Sequence, residues 1–138
     1  MKAYIAGPLF NEGERWYVEQ IDKIARDLGY DTFLPHRDGK ELLPEIRDIN
    51  LIFELDRDEV DRSDLVIANL DGIAVDDGTA WEIGYAYAKG KHIIGVHKDM
   101  RHHSDGQFVN LMIQCALDTL VHSFADLKVY LSEYQQAQ

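Results

Sequence analysis

Four carboxylates and one phenol in this sequence stand where chemistry, rather than packing, would place them. Asp76, Asp77 and Glu82 lie in DDGTAWEIGYA (residues 76–86), Asp56 lies in an earlier charged stretch, and Tyr4 sits in the first apolar run. Clustered acids without a metal motif suit glycosidic chemistry. One carboxylate attacks or stabilises an oxocarbenium-like carbon while another handles the proton of the leaving group. A helix beginning near residue 79 would keep Glu82 ionised and therefore nucleophilic. Structural readings stand beside these. Thr79-Ala80-Trp81-Glu82 fits a capping box, in which Thr and Glu satisfy each other's free backbone N–H groups. Asp56, flanked by Glu54, Arg57 and Asp58, fits a solvated helix face.

Other chemistries lack their signatures. AGPLF after the first strand is not GxGxxG, and GK[ST] is absent, so no dinucleotide or triphosphate cradle is expected. None of the six histidines, including His97 and the pair His102-His103, falls in a metal-binding spacing, so no metal is expected either. A Ser-His-Asp triad has no nucleophile-elbow motif. Cys115 lies among apolar residues and reads as core rather than nucleophile.

The elements that must position the acids follow from periodicity. Residues 2–6 form a short apolar strand broken by Gly7-Pro8. Tyr17, Ile21, Ile24, Ala25 and Leu28 make one apolar helical stripe, stopped by Gly29. A second strand spans 30–34, and a polar, exposed loop follows over 36–44. Residues 45–62 read as a charged helix, and DLVIANL (64–70) as a strand apolar on both faces, as in a covered parallel sheet. After the 71–78 loop comes the helix of the acidic stretch, to about residue 90, then a buried strand at 92–97. A polar loop over 98–106 leads to a short helix at 108–117, a last strand at 119–121, and a final helix capped by Ser123.

Strand and helix alternate throughout, which predicts an α/β fold: one domain over residues 1–138, an open parallel sheet with helices on both faces, flavodoxin- or Rossmann-like. Ligands in such sheets bind beyond the carboxyl ends of the strands, where residues 7–10, 35–38, 71–78 and 98–106 lie.

Composition narrows the partners. A formal net charge of −11 repels nucleic-acid backbones and favours an uncharged small molecule. No apolar run approaches the ~20 residues that span a bilayer, and MKAYIAGPLF lacks the long apolar stretch of a signal peptide. With a single cysteine, no intrachain disulfide forms. A cytoplasmic location is expected.

Four features in register resemble the nucleoside 2-deoxyribosyltransferase family. They are Tyr4 opening YIAGPLF; Asp56 eight residues before Asp64; Asp76 six residues before Glu82 in D-x-G-x-x-x-E-[LI]-G-Y-A; and Asn110-Leu111-Met112 after the fourth strand. The resemblance implies that Glu82 attacks C1′ of a 2′-deoxynucleoside and that the Tyr4 hydroxyl orients it. Asp76 and Asp56 are implied to bind the base and shuttle its proton. Gly7, Phe10 and Met112 join them as substrate-binding positions. Asn110 is implied to hold the sugar 5′-hydroxyl of a neighbouring subunit's substrate, which calls for at least a homodimer with shared sites. The implied substrates are 2′-deoxynucleosides and free nucleobases, as in purine salvage, with no cofactor. Hydrolysis of deoxynucleosides or their 5′-monophosphates is the rival activity, and non-catalytic binding of a nucleoside derivative a more distant one. Phe10, Trp16 and Trp81 are candidates to stack on the base.

Overall fold

A computed structural model of the chain describes residues 1–39 and 48–138. Five parallel strands form its sheet: β1 (Lys2–Ala6), β2 (Asp31–Phe33), β3 (Leu65–Asn69), β4 (His92–Val96) and β5 (Thr119–Val121). Their spatial order is β2-β1-β3-β4-β5. The connecting helices are α1 (Glu12–Asp27), α2 (Pro35–Asp38), α3 (Ile49–Arg62), α4 (Asp77–Ala88), α5 (Leu111–Gln114) and α6 (Phe124–Gln136). The fold is thus the expected doubly wound α/β sheet. Strand addition reverses direction between β1 and β3, and a crevice opens at such a switch point beyond the strand ends.

Alternation along the strands divides the core in two. Ala3, Ile5, Leu65, Ile67, Ile94 and Val96 point to the side covered by α1 and α6. Tyr4, Ala6, Val66, Ala68 and Ile93 point to the side of α3 and α4, where Val60, Ile83 and Ala86 meet them. Each fully buried aliphatic side chain among them contributes about 1.5–3 kcal/mol. This period of two aims Tyr4, but not its neighbours Ala3 and Ile5, at the helices that carry the acids. In register, Tyr4 pairs with Phe33 on one side and Val66 on the other.

The helix boundaries have local causes. Asn11 caps α1 by accepting from the Glu14 N–H at 2.9 Å. Gly29 ends it with φ of +86°, the left-handed conformation that lets Tyr30 N–H reach the Ala25 carbonyl at 3.1 Å. Ser123 caps α6 as expected, its Oγ accepting from the Asp126 N–H at 3.0 Å.

Several expectations need correction. Residues 35–38 are one helical turn rather than loop, started by Pro35 and fixed by Arg37, which donates to Asp22 Oδ2 at 2.8 Å and the Thr32 carbonyl at 3.1 Å. The rest of that expected loop (40–44) and the start of the next helix (45–47) lie outside the described residues. The short helix at 108–117 is only one turn, Leu111–Gln114. Cys115 follows it and is exposed, not core, because this turn lies on the surface. Among the described residues, no helix is long and apolar enough to cross a membrane.

Candidate active site

At the β1/β3 crevice lies a cavity of about 350 Å³, within the range of small-molecule pockets. β1 supplies its floor through Tyr4, and the turn after β1 supplies Gly7, Leu9 and Phe10. Arg15 of α1 holds that turn by donating to the Leu9 carbonyl at 3.1 Å. Pro35 enters from α2; Phe53, Asp56 and Arg57 come from α3; Asp76, Gly78, Trp81 and Glu82 come from the start of α4. Six of the sequence candidates (Tyr4, Gly7, Phe10, Asp56, Asp76 and Glu82) therefore converge on one cavity, although 78 residues separate the first from the last.

Tyr4 is fully buried, its ring stacked on Phe33 at 5.6 Å, and its hydroxyl donates to Glu82 Oε2. Sequence explains the meeting. Thr79, Ile83 and Ala86 face the sheet at i, i+4 and i+7, which leaves Gly78 and Glu82 on the flank that overhangs β1. A carboxylate there is partly solvated and held by a buried phenol.

Asp76, not Thr79, caps α4. Its Oδ2 accepts from Thr79 N–H at 2.9 Å and from Thr79 Oγ1 at 3.0 Å. The capping-box reading of Thr79 and Glu82 fails, because the helix begins at Asp77, three residues earlier than that motif requires. Glu82 consequently sits in the second turn, where the macrodipole that falls off within the first turn contributes little.

Gly7 has a packing reason to be glycine. A Cβ there would stand 2.6 Å from Val18 Cγ1 and 3.0 Å from Asn69 Cβ. The missing side chain lets the turn lie flat between α1 and β3 and keeps the cavity open beside Tyr4.

The aromatic wall holds two of the three expected stacking candidates, Trp81 and Phe10. Trp81 stacks on Tyr85 at 5.1 Å and meets Phe53 edge-on at 5.3 Å. Phe10, 74% exposed, stands at the mouth. Trp16 does not join them; it packs against Phe124 at 6.1 Å on the other face of the sheet. Phe53, Leu9 and Arg57 were not singled out from the sequence, and Arg57 had only its adjacency to Asp56 as a signal. Arg57 is the one cation among the described lining residues. Its Nε and Nη2 donate to Asp58 Oδ1 at 3.0 and 2.7 Å, and this bond raises the guanidinium's pKa further.

Asn110 and Met112 are elsewhere in the chain. Asn110 borders a separate cavity of about 280 Å³ with His97, Arg101 and His102, beside the loop that follows β4. Its Oδ1 accepts from the Met112 N–H at 2.9 Å, capping α5. Leu111 and Met112 are 57% and 75% exposed. Of the four strand-end loops, the one after β4 lines this second cavity, the one after β3 lines both, and the other two reach the first. Among the described residues, no group of three or more His, Cys, Asp or Glu is placed to hold a metal ion.

Comparison with known proteins gives this geometry relatives. An uncharacterized protein of Ureaplasma parvum is 33% identical over 102 residues, which is 67% of this chain. The chain spans between 50% and 63% of the length of the curated relatives it matches. A conserved protein from Enterococcus faecalis has a similar structure, with a TM-score of 0.81 at 28% identity, covering 97% of this chain and 98% of the other. The 2-deoxyribosyltransferase of Bacillus psychrosaccharolyticus has a TM-score of 0.79 at 27% identity, covering 95% and 96%. The nucleoside 2-deoxyribosyltransferase family model matches residues 3–112, from the strand bearing Tyr4 to the exposed Met112, and the chain belongs to that family.

Proposed function

We propose that this protein transfers 2-deoxyribosyl groups between nucleobases, with Glu82 as the nucleophile. The observation that carries the reading is the Tyr4 hydroxyl donating to Glu82 Oε2 inside a cavity that Asp56 and Asp76 also line. A phenol that holds the carboxylate from the floor of the cavity fixes the line along which it meets C1′.

The chemistry balances without a further reagent. The N-glycosidic bond breaks as Glu82 forms an ester bond to C1′, and the departing base takes a proton from Asp76 or Asp56. A second base then attacks C1′ from the vacated face and loses its proton to the same carboxylate, and the ester bond to Glu82 breaks. Two inversions give net retention. A 2′-hydroxyl would withdraw electrons from the cationic centre, so deoxyribosides react faster than ribosides. Asn110, in a capping position on an exposed turn, serves a neighbouring copy's sugar, and Leu111 and Met112 pack at that junction.

Incubation with deoxyinosine and adenine tests the proposal. Deoxyadenosine is the expected product. Hypoxanthine and free deoxyribose alone would mean hydrolysis, the second reading, which the open mouth at Phe10 favours by admitting water. No reaction would reduce the site to a binding pocket.

A further inference from the structure

Arg57 has no place in the chemistry above, yet it shares the cavity wall with Asp56. The two are consecutive on α3, and Phe53 lies one turn before them on the same wall. The guanidinium carbon stands 5.7 Å from the Phe53 ring centroid, and Phe53 in turn meets Trp81. Asp58 engages Nε and Nη2. Among the described residues, no acceptor takes the two N–H groups of Nη1. A planar donor therefore sits at the edge of an aromatic wall, beside the carboxylate assigned to the base.

We propose that Arg57 reads the base, favouring purines with a carbonyl at position 6 over those with an amino group there. This inference rests on the proposed placement of the base next to Asp56. With the base face against the Phe53–Trp81 wall, its edge meets Nη1. A 6-oxopurine presents an acceptor at that edge and an adenine presents N–H donors, so one pairs with the guanidinium and the other opposes it. A site built to donate to a ligand oxygen rejects the analogue lacking it far more strongly than an apolar pocket rejects a change of shape. The guanidinium's bond to Asp58 holds the fork still, which reduces the entropy lost on pairing.

The test compares hypoxanthine with adenine on the wild-type protein, Arg57→Ala and Arg57→Lys. Binding is read by quenching of tryptophan fluorescence, and acceptor use by kcat/KM in deoxyribosyl exchange. Wild type is expected to favour hypoxanthine by roughly tenfold or more. Arg57→Ala should bring the ratio within about twofold of one, while Arg57→Lys, charged but without the fork, should fall between. Arg57 is surface-accessible, and circular dichroism verifies that the variants remain folded. Equal losses for both bases in Arg57→Ala would overturn the inference. So would a loss confined to 5′-monophosphates when deoxyinosine is compared with its phosphate, because Arg57 would then serve the phosphate. Absence of base binding to wild type would overturn it too. If wild type binds hypoxanthine with the stated preference but catalyses no exchange, the transfer proposal fails and base reading stands.

Discussion

Removing one oxygen from the floor of the cavity separates positioning from packing. In Tyr4→Phe the ring still stacks on Phe33, every buried carbon stays in place, and only the hydroxyl facing Glu82 is lost. Hydrogen bonds to a charged partner are worth about 1.5–3 kcal/mol. At 1.36 kcal/mol per decade, losing one that matters in the transition state slows kcat by roughly 10- to 150-fold. KM should change little, because the hydroxyl touches the proposed nucleophile rather than the bulk of the substrate. Glu82 is partly solvated, so water replaces the lost donor and Tm should stay within about 5 °C of wild type. Tyr4→Ala, by contrast, opens a cavity in the core and costs about 3–5 kcal/mol of stability. The assay is deoxyinosine–adenine exchange at saturating substrate, with a thermal melt of each variant. A kcat within twofold of wild type in folded Tyr4→Phe would refute the positioning role. A loss as large as that of Glu82→Gln would refute the division of labour between the two residues.

Asp76 caps α4 and is proposed to move the base's proton, two roles that substitution separates. Asp76→Asn keeps an oxygen to cap α4 and should melt near wild type while losing activity; Asp76→Ala should also lower Tm by about 2–8 °C, as a lost N-cap does. Gly7→Ala should destabilise by about 1–3 kcal/mol in chemical denaturation, because its Cβ would meet Val18 at 2.6 Å, and Val18→Ala should recover part of that loss. Asn110→Ala and Glu82→Ala should each be impaired alone and regain activity when co-assembled, since some mixed sites hold both wild-type groups; no recovery despite proven subunit exchange would place the site within one chain.

The parts of the molecule legible from sequence were those governed by period and by turn chemistry. The short apolar runs of β1 and β3, the apolar stripe of α1 and the stop at Gly29 each have a single physical solution. The start of α4 did not. Asp76 and Thr79 are both good N-caps three residues apart, and sequence does not say which oxygen wins. In the fold Asp76 takes both Thr79 donors, so the helix gains a turn and Glu82 moves from its first turn to its second. Cys115 and Trp16 show the same limit: apolar neighbours in sequence do not say which face a side chain occupies, and Cys115 is exposed while Trp16, itself half exposed, touches α6 rather than the cavity. Arg57 is not legible as a site residue, because a charged helix face is ordinarily solvent-facing and only the packing of α3 over β1 turns part of that face inward. Asn110 was legible as a motif, but its distance from the Glu82 cavity depends on tertiary structure.

Acid-quenching the enzyme with deoxyinosine in the absence of an acceptor base isolates the covalent step. Intact mass spectrometry should show the gain of one deoxyribosyl group, peptide mapping should place it on the segment containing Glu82, Glu82→Ala should lack it, and once adenine is added the transfer product should be the β-anomer. An unmodified enzyme that turns over, with the α-anomer as product, would contradict nucleophilic attack by Glu82.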